Sequence, residues 1–403
     1  MSRQNEIRAM FPSLDKEVYG KKLVYFDNAA TSQRPSSVIE LWNRLTVNST
    51  ANIHRAVHKL AADATDAYED ARDAVKNYIN AAFREEVVFS SGTTASINLV
   101  ASSFSEAFIG DGDEVIVSEA EHHSNIVSWQ LACKRKNARI KVIPVADNGR
   151  LMVESLEDLI TPRTRIVAVS HISNVLGIVN PVEEVIRIAH SHDVPVLVDG
   201  AQGIVHRKVD VQTMDCDFYA FSGHKIYAAT GTGVLYGKKK WLEAMPPFMG
   251  GGEMVGNVSF EETTYAPLPM KFEAGTQHFT GQATFKPALE TAALINAIED
   301  GELSEMMSWE LGRVEGIRIF GTPDAGEKIP LFSFCIDGVH HEDLALILDK
   351  MGIAVRSGQM CAEPLMKRFG VTGMLRASLA PYNTEEEIKY FIESLKRAVS
   401  MLR

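Results

Sequence analysis

The chain has 403 residues, more than one ordinary hydrophobic core needs and fewer than three would use, so two structural units are expected. Hydrophobic residues at 45% and charged residues at 23% exclude a disordered, collagen-like or membrane-spanning chain. With 41 Lys+Arg against 52 Asp+Glu the net charge is −11, the wrong sign for a general nucleic-acid binder, and no basic run offsets it.

Between residues 22 and 237, short β-branched runs alternate with longer helical stretches. The predicted strands are 86–89, 114–117, 165–169, 194–198, 218–221 and 233–236. Several are apolar on both faces, as strands buried between two helical layers must be. Segments 95–108 and 182–192 have helical spacing, so the pattern reads as α/β with a mostly parallel sheet. Loops or a hairpin are expected over 246–269, which contains Gly250-Gly-Gly252, and a long helical stretch begins near Ala283. Beyond Gly316 the order is strand 331–336, helix 342–351, an irregular segment around Cys361, strand 375–379 and helix 384–402. Asn383-Thr384-Glu-Glu-Glu387 opens that last helix with acids suited to its dipole. The expected division is an N-terminal segment (1–21) packed on the smaller unit, a large unit (22–282) and a smaller C-terminal α/β unit (283–403). A cleft between the two units is a natural ligand site.

Ligands of open parallel sheets bind outside the carboxyl ends of the strands. The residues just past each predicted strand are therefore informative: Ser90-Ser-Gly-Thr-Thr94, Ser118-Glu-Ala-Glu-His-His123, Ser170-His-Ile-Ser-Asn174, Asp199-Gly-Ala-Gln202 and Ser222-Gly-His-Lys225. Ser91-Gly-Thr-Thr94 at a helix start offers N–H groups and hydroxyls to an anion such as phosphate, although an ordinary N-cap would read the same. Asp199 follows four apolar residues of a buried strand, so its carboxylate needs a partner: a protonated pyridine nitrogen, an arginine or a backbone cap. Lys225 also follows a buried strand, and a desolvated lysine becomes a nucleophile suited to Schiff-base formation. As a set, these residues meet the needs of pyridoxal 5'-phosphate, with His122 as the flat group over its ring.

The pairs His122-His123 and His340-His341 do not support a metal site, because adjacent rings rarely meet one ion and no His-Glu-x-x-His or cysteine cluster accompanies them. No Walker-type loop is present, and Gly231-Thr-Gly-Val-Leu-Tyr-Gly237 has the wrong spacing for a dinucleotide. The N terminus lacks a secretory apolar stretch, no apolar run reaches membrane-span length, and the four cysteines form no Cys-x-x-Cys pair. A cytoplasmic protein with reduced thiols is expected. Cys133, Cys216 and Cys335 lie in helical or strand contexts and read as inert fillers. Cys361 lies in Arg356-Ser-Gly-Gln-Met-Cys-Ala-Glu-Pro364, a Gly- and Pro-punctuated, mobile-looking segment where a nearby arginine would favour the thiolate, although an ordinary loop thiol would read the same. Arg376 is placed to fork onto a substrate carboxylate or to close an ion pair between the units.

Asp199-Gly-Ala-Gln202, Ser222-Gly-His-Lys225, Glu273-Ala-Gly-Thr276, Arg356-Ser-Gly-x-x-Cys361 and Arg376-Ala-Ser-Leu-Ala380 together resemble the motifs of the cysteine desulfurases. The resemblance is to their second group, the SufS/CsdA type, within the class V aminotransferase-like enzymes of PLP fold type I. It runs from Asp27-Asn-Ala-Ala30 to the C terminus. It implies a large unit on a mostly parallel, seven-stranded type of sheet, and a homodimer with the active site at the subunit interface. Lys225 would carry the cofactor and move the α-proton, Asp199 would pair with the pyridinium, His122 would stack on the ring and Gln202 would bond the ring hydroxyl. Thr94, Ser222 and His224 would hold the phosphate, with Thr276 reaching from the other subunit. Asn174 and Arg376, with Arg356 nearby, would bind the carboxylate of L-cysteine. Cys361 would take its sulfur as a persulfide, releasing alanine, and pass it to an acceptor of the SufE, CsdE or SufU kind for iron–sulfur cluster assembly.

The sequence departs from that pattern at Gln359 and Met360, where histidine is frequent, at Ala95, at Ala228-Ala229, at Gln277-His278, and over 298–314, which reads one helical turn short. None of these removes a chemically required group. Related readings are a selenocysteine lyase using L-selenocysteine, or a class V aminotransferase or epimerase in which Cys361 is dispensable. A non-enzymatic sulfur-carrier scaffold is a further alternative, against which intact Lys225 and Asp199 argue.

Overall fold

The computed structural model describes residues 3–296, 301–322 and 325–403. The larger sheet has seven strands, in the order Val87–Ser90, Gly233–Gly237, Phe218–Ser222, Val196–Asp199, Thr164–Ser170, Glu114–Ser118 and Arg139–Ile143. Every pairing is parallel except the two made by Gly233–Gly237. Successive strand residues feed opposite cores. Val115, Val117, Ile166, Ala168 and Leu197 meet Phe104 and Trp129 of helices Thr93–Phe108 and His123–Lys136. Ile116, Val167, Val169, Val196 and Val198 meet Tyr68 and Val185 of helices Lys59–Tyr78 and Val182–His190. A residue here is buried whichever way it points, which is why the runs read apolar throughout.

Arg139–Ile143 was not among the expected strands. It lies at the sheet edge, where Arg139 and Lys141 pair with Glu114, so its sequence lacks the continuous apolar character of the others. The expected hairpin after Pro246 is the pair Val255–Val258 and Thr263–Tyr265. The helical stretch near Ala283 is two helices, Phe279–Ala283 and Phe285–Asn296. Of the 298–314 stretch, residues 298–300 lie outside the described residues, and Glu302–Leu311 is helical.

A second, antiparallel sheet has the order Ile317–Phe320, Leu331–Ile336, Met374–Ser378 and Arg356–Gly358. Phe332, Phe334, Leu375 and Ala377 pack against Leu348 of helix His341–Lys350 and Phe391 of helix Glu385–Leu402. That last helix starts with a complete capping box between Thr384 and Glu387. The N-terminal helix Arg3–Ala9 is tied to the same region, Arg8 reaching the Tyr382 carbonyl at 3.2 Å and Glu387 at 2.8 Å. Val24 and Phe26 enter this smaller core, strand Val24–Tyr25 pairs with Ile353–Ala354, and Asp27 bridges to Ser378. Among the described residues, no helix is long and apolar enough to cross a membrane.

Candidate active site

Five strands of the larger sheet end on one edge, at Ser90, Ser118, Ser170, Asp199 and Ser222. They open into a cavity of about 250 Å³ walled by Thr94, His122, Asp199, Lys225, Cys361 and Arg376, among others. At one end, helix Thr93–Phe108 starts after Gly92, whose φ of 146° suits glycine. A Cβ on Gly233 would lie 2.3 Å from Gly92 Cα, so this turn rests directly on the backbone of the antiparallel strand. The Thr93 N–H donates to Ser222 Oγ at 2.8 Å, and the two hydroxyls are 2.7 Å apart. His224 stands on the same wall with its pKa pushed down to about 4, chiefly by burial and then by Lys225. A helix start, hydroxyls and a neutral imidazole make an anion site.

The middle of the cavity carries two buried groups displaced in opposite senses. Burial pushes the Asp199 carboxyl up, opposed by the Ala201 N–H that it accepts at 2.9 Å and by Lys225. Gly200 lets this turn close on Tyr219, because a Cβ there would stand 2.0 Å from the ring. Lys225 ends the short turn Gly223–Lys225, and burial lowers its pKa to about 8; Asp199 opposes the fall, and Arg376 and Arg356 add to it. His122 caps helix His123–Lys136, its Nδ1 accepting the Ser124 N–H at 3.1 Å, which leaves the proton of the neutral ring on Nε2. Burial, then Lys225, brings its pKa to about 4. Pyridoxal phosphate fits these groups: its ring nitrogen supplies the cation that Asp199 lacks, its aldehyde suits the Lys225 amine, and its phosphate suits the helix start.

The other end belongs to the smaller sheet. Arg356 and Arg376 stand directly opposite each other on neighbouring antiparallel strands. Arg376 is buried: Nη1 donates to the Asn174 carbonyl at 2.7 Å and Nη2 to Asp27 at 3.2 Å, while Nε has no partner among the described residues. Cys361 is exposed, on a turn where Met360 and Cys361 both have positive φ, 53° and 56°. Three hydrogen bonds hold that turn. Asn174 Nδ2 donates to the Met360 carbonyl at 2.8 Å, the His123 N–H to the Cys361 carbonyl at 2.7 Å, and the Glu363 N–H to His123 Nε2 at 3.1 Å. The segment expected to be mobile is thus docked against two other turns of the site.

The Aminotransferase class-V family matches residues 24–391. The chain is 43% identical, over the whole of both chains, to a probable cysteine desulfurase of Vibrio cholerae serotype O1. It is 44% identical to a cysteine desulfurase of Cronobacter sakazakii, with 98% of each chain covered. Its structure is similar to that of the cysteine desulfurase CsdA, in an S-sulfonic acid form, from Escherichia coli, at a TM-score of 0.91 and 40% identity over the whole of both chains. The chain belongs to the class-V aminotransferase family, in its cysteine desulfurase branch. This branch is dependent on pyridoxal phosphate.

Within that family framework, the cavity gathers Thr94, His122, Asn174, Asp199, Gln202, Ser222, His224, Lys225, Arg356, Cys361 and Arg376, all of them candidates on sequence grounds. Two differ in detail from expectation. Gln202 Nε2 donates to the Ala29 carbonyl at 2.8 Å, and the Asn174 amide donates to the Cys361 turn. Thr276 is exposed and not on this wall. Its neighbour Glu273 anchors that loop: Arg72 and the Phe89 N–H reach Oε1 at 2.7 Å, and Arg72 and the Tyr68 hydroxyl reach Oε2 at 2.9 and 2.8 Å. Burial pushes the Cys133 thiol up to about 11 and raises those of Cys216 and Cys335.

Sequence reasoning placed three residues within motifs but gave none of them a role of its own. Thr93 is the threonine that meets Ser222. Asp27, noticed only as the start of a motif, binds both arginines. Glu121 is fully buried and pushed up to about 7 by burial; it accepts Ser170 N–H at 3.0 Å and Asn125 Nδ2 at 2.7 Å, tying the His122 turn to a strand end. Its only sequence signal is a carboxylate immediately before His122.

Proposed function

We propose that the protein converts L-cysteine to L-alanine with pyridoxal phosphate, leaving the sulfur as a persulfide on Cys361. The observation that carries this reading is that an exposed thiol and a buried, acidified lysine line the same cavity as Arg376, a buried arginine of the smaller sheet whose Nε has no partner among the described residues. When bound, the cofactor serves as an electron sink for the carbon atoms of the substrate. Asp199 would pair with its ring nitrogen and hold it in an electron-withdrawing, protonated state, and His122, kept neutral by burial, would face it without competing for that charge. Thr94, Ser222 and His224 would hold the phosphate, and Gln202 would help hold the ring. Arg376, with Asn174 alongside, receives the substrate carboxylate. Lys225 Nζ takes the proton from the substrate Cα, a task suited to an amine whose pKa is about 8. Cys361 Sγ, as thiolate, forms the S–S bond while the Cβ–S bond of cysteine breaks; the electron pair stays with carbon and is quenched by a proton. The sum is cysteine plus enzyme thiol giving alanine plus enzyme persulfide.

We further propose a cytosolic homodimer in which Thr276 of each subunit completes the phosphate site of the other. The acceptor of sulfur would be a protein of the SufE, CsdE or SufU kind, serving iron–sulfur cluster assembly. The test is incubation of the holoenzyme with L-cysteine: one alanine per sulfur and a mass gain of one sulfur on the Cys361 peptide are expected. Alanine formed with no sulfur on Cys361 would refute the assigned role of that residue.

A further inference from the structure

Among the described residues, Asp27 is the one carboxylate that touches both arginines of the substrate end. Arg356 Nε donates to its two oxygens at 3.1 and 3.2 Å and Nη2 to Oδ2 at 2.9 Å, while Arg376 Nη2 reaches Oδ1 at 3.2 Å. The arginines are cross-strand neighbours, an arrangement in which like charges repel. The carboxylate between them relieves that repulsion. Asp27 itself is not on the cavity wall; it sits behind the arginines, which are. The Asp27 side chain is 15% exposed and that of Arg376 3%, so solvent screens their contact little, whereas Arg356, at 46%, reaches solvent. The backbone bridge from Asp27 to Ser378 fixes its place beside the strand that bears Arg376.

We infer that Asp27 is a specificity-determining residue, holding the carboxylate subsite at one net positive charge and so favouring amino acids with one anionic group over those with two. Two guanidinium groups stand against one carboxylate. A substrate carboxylate brings the subsite to neutrality, whereas a second anion on a short side chain would be left uncompensated beside the buried Arg376. Replacing Asp27 by its neutral isostere gives the subsite two positive charges and a place for that second anion. The inference rests on the reading of Arg376 as the carboxylate receiver, and the test separates the two.

The holoenzyme is titrated with L-alanine and with L-aspartate, neither of which carries a thiol, and Kd is read from the cofactor's visible absorbance at fixed ionic strength. Asp27→Asn should lower the ratio of aspartate Kd to alanine Kd at least tenfold relative to the unsubstituted protein. Asp27→Glu, which restores the charge, should return the ratio towards its original value. Arg356→Gln, at an exposed edge position, removes a positive charge and should raise the ratio by a similar factor; it decides the matter if Asp27→Asn does not fold. Arg376→Ala should weaken both ligands. A ratio changed less than threefold in both Asp27→Asn and Arg356→Gln, while Arg376→Ala weakens alanine binding, overturns the role of Asp27 alone. Unchanged alanine binding in Arg376→Ala overturns the carboxylate site itself.

Discussion

The lowered basicity of Lys225 can be tested in the cofactor-free protein by varying pH. Burial brings this amine from 10.5 to about 8. At pH 7 an ordinary lysine is neutral in about one molecule in three thousand, and Lys225 in about one in eleven, a roughly 300-fold larger nucleophilic fraction. The same displacement corresponds to about 3.4 kcal/mol between its two protonation states. Between about pH 8 and 10.5 the unfolded chain keeps a proton that the native chain has released, so the lysine destabilises the cofactor-free fold below pH 8, and that penalty fades as pH rises. Brief exposure to pyridoxal phosphate, trapping with borohydride and quantifying the modified Lys225 peptide give a capture rate at each pH. The rate should rise with a midpoint near 8. Asp199→Asn removes the anion that opposes burial and should lower the midpoint, whereas Arg376→Ala removes a cation and should raise it. A midpoint at the ordinary lysine value, or variants that move it the opposite way, would refute the electrostatic account.

Other expectations bear on separate parts of the molecule. Cys361→Ala should retain the yellow cofactor while persulfide and sulfide production from L-cysteine fall by about a hundredfold or more; unaltered turnover would remove the thiol from the chemistry. Arg376→Ala should raise KM for L-cysteine about tenfold or more, through loss of a charge-assisted hydrogen bond. An unaltered KM would take Arg376 out of the substrate site. Glu273→Ala strands the fully buried Arg72 guanidinium and should cost about 3–5 kcal/mol in urea unfolding. A loss below about 1 kcal/mol would show that Glu69, the other carboxylate on Arg72, suffices.

Central strands such as Thr164–Ser170 could be found in the sequence because both of their faces are buried, and the groups after them could be found because strand ends of such sheets meet at one edge. Lys225 and Asp199 are polar residues set directly after apolar runs, a local signal of expensive burial. The place of Asp27 has no local signal. It lies 329 and 349 residues from its two arginine partners, and the pairing of Val24–Tyr25 with Ile353–Ala354 and the bridge from Asp27 to Ser378 deliver it there. The hold of Asn174 on the Met360 carbonyl depends on left-handed conformations at Met360 and Cys361, two residue types that do not announce them. The edge strand Arg139–Ile143 escaped for the converse reason: its charges are answered by Glu114, a contact between strands rather than along one.

The left-handed pair at 360 and 361 has a mechanical meaning for sulfur delivery. With the carbonyl of each residue caught from inside, the sulfur stands on a post tied to the turns of Asn174 and His123. A swinging arm could meet a collector some distance from the entrance; a post cannot. On the proposed function, a protein that unloads Cys361 would bring its own thiol to the threshold, and the relief of the surface around Gln359 and Glu363 would decide which visitors fit.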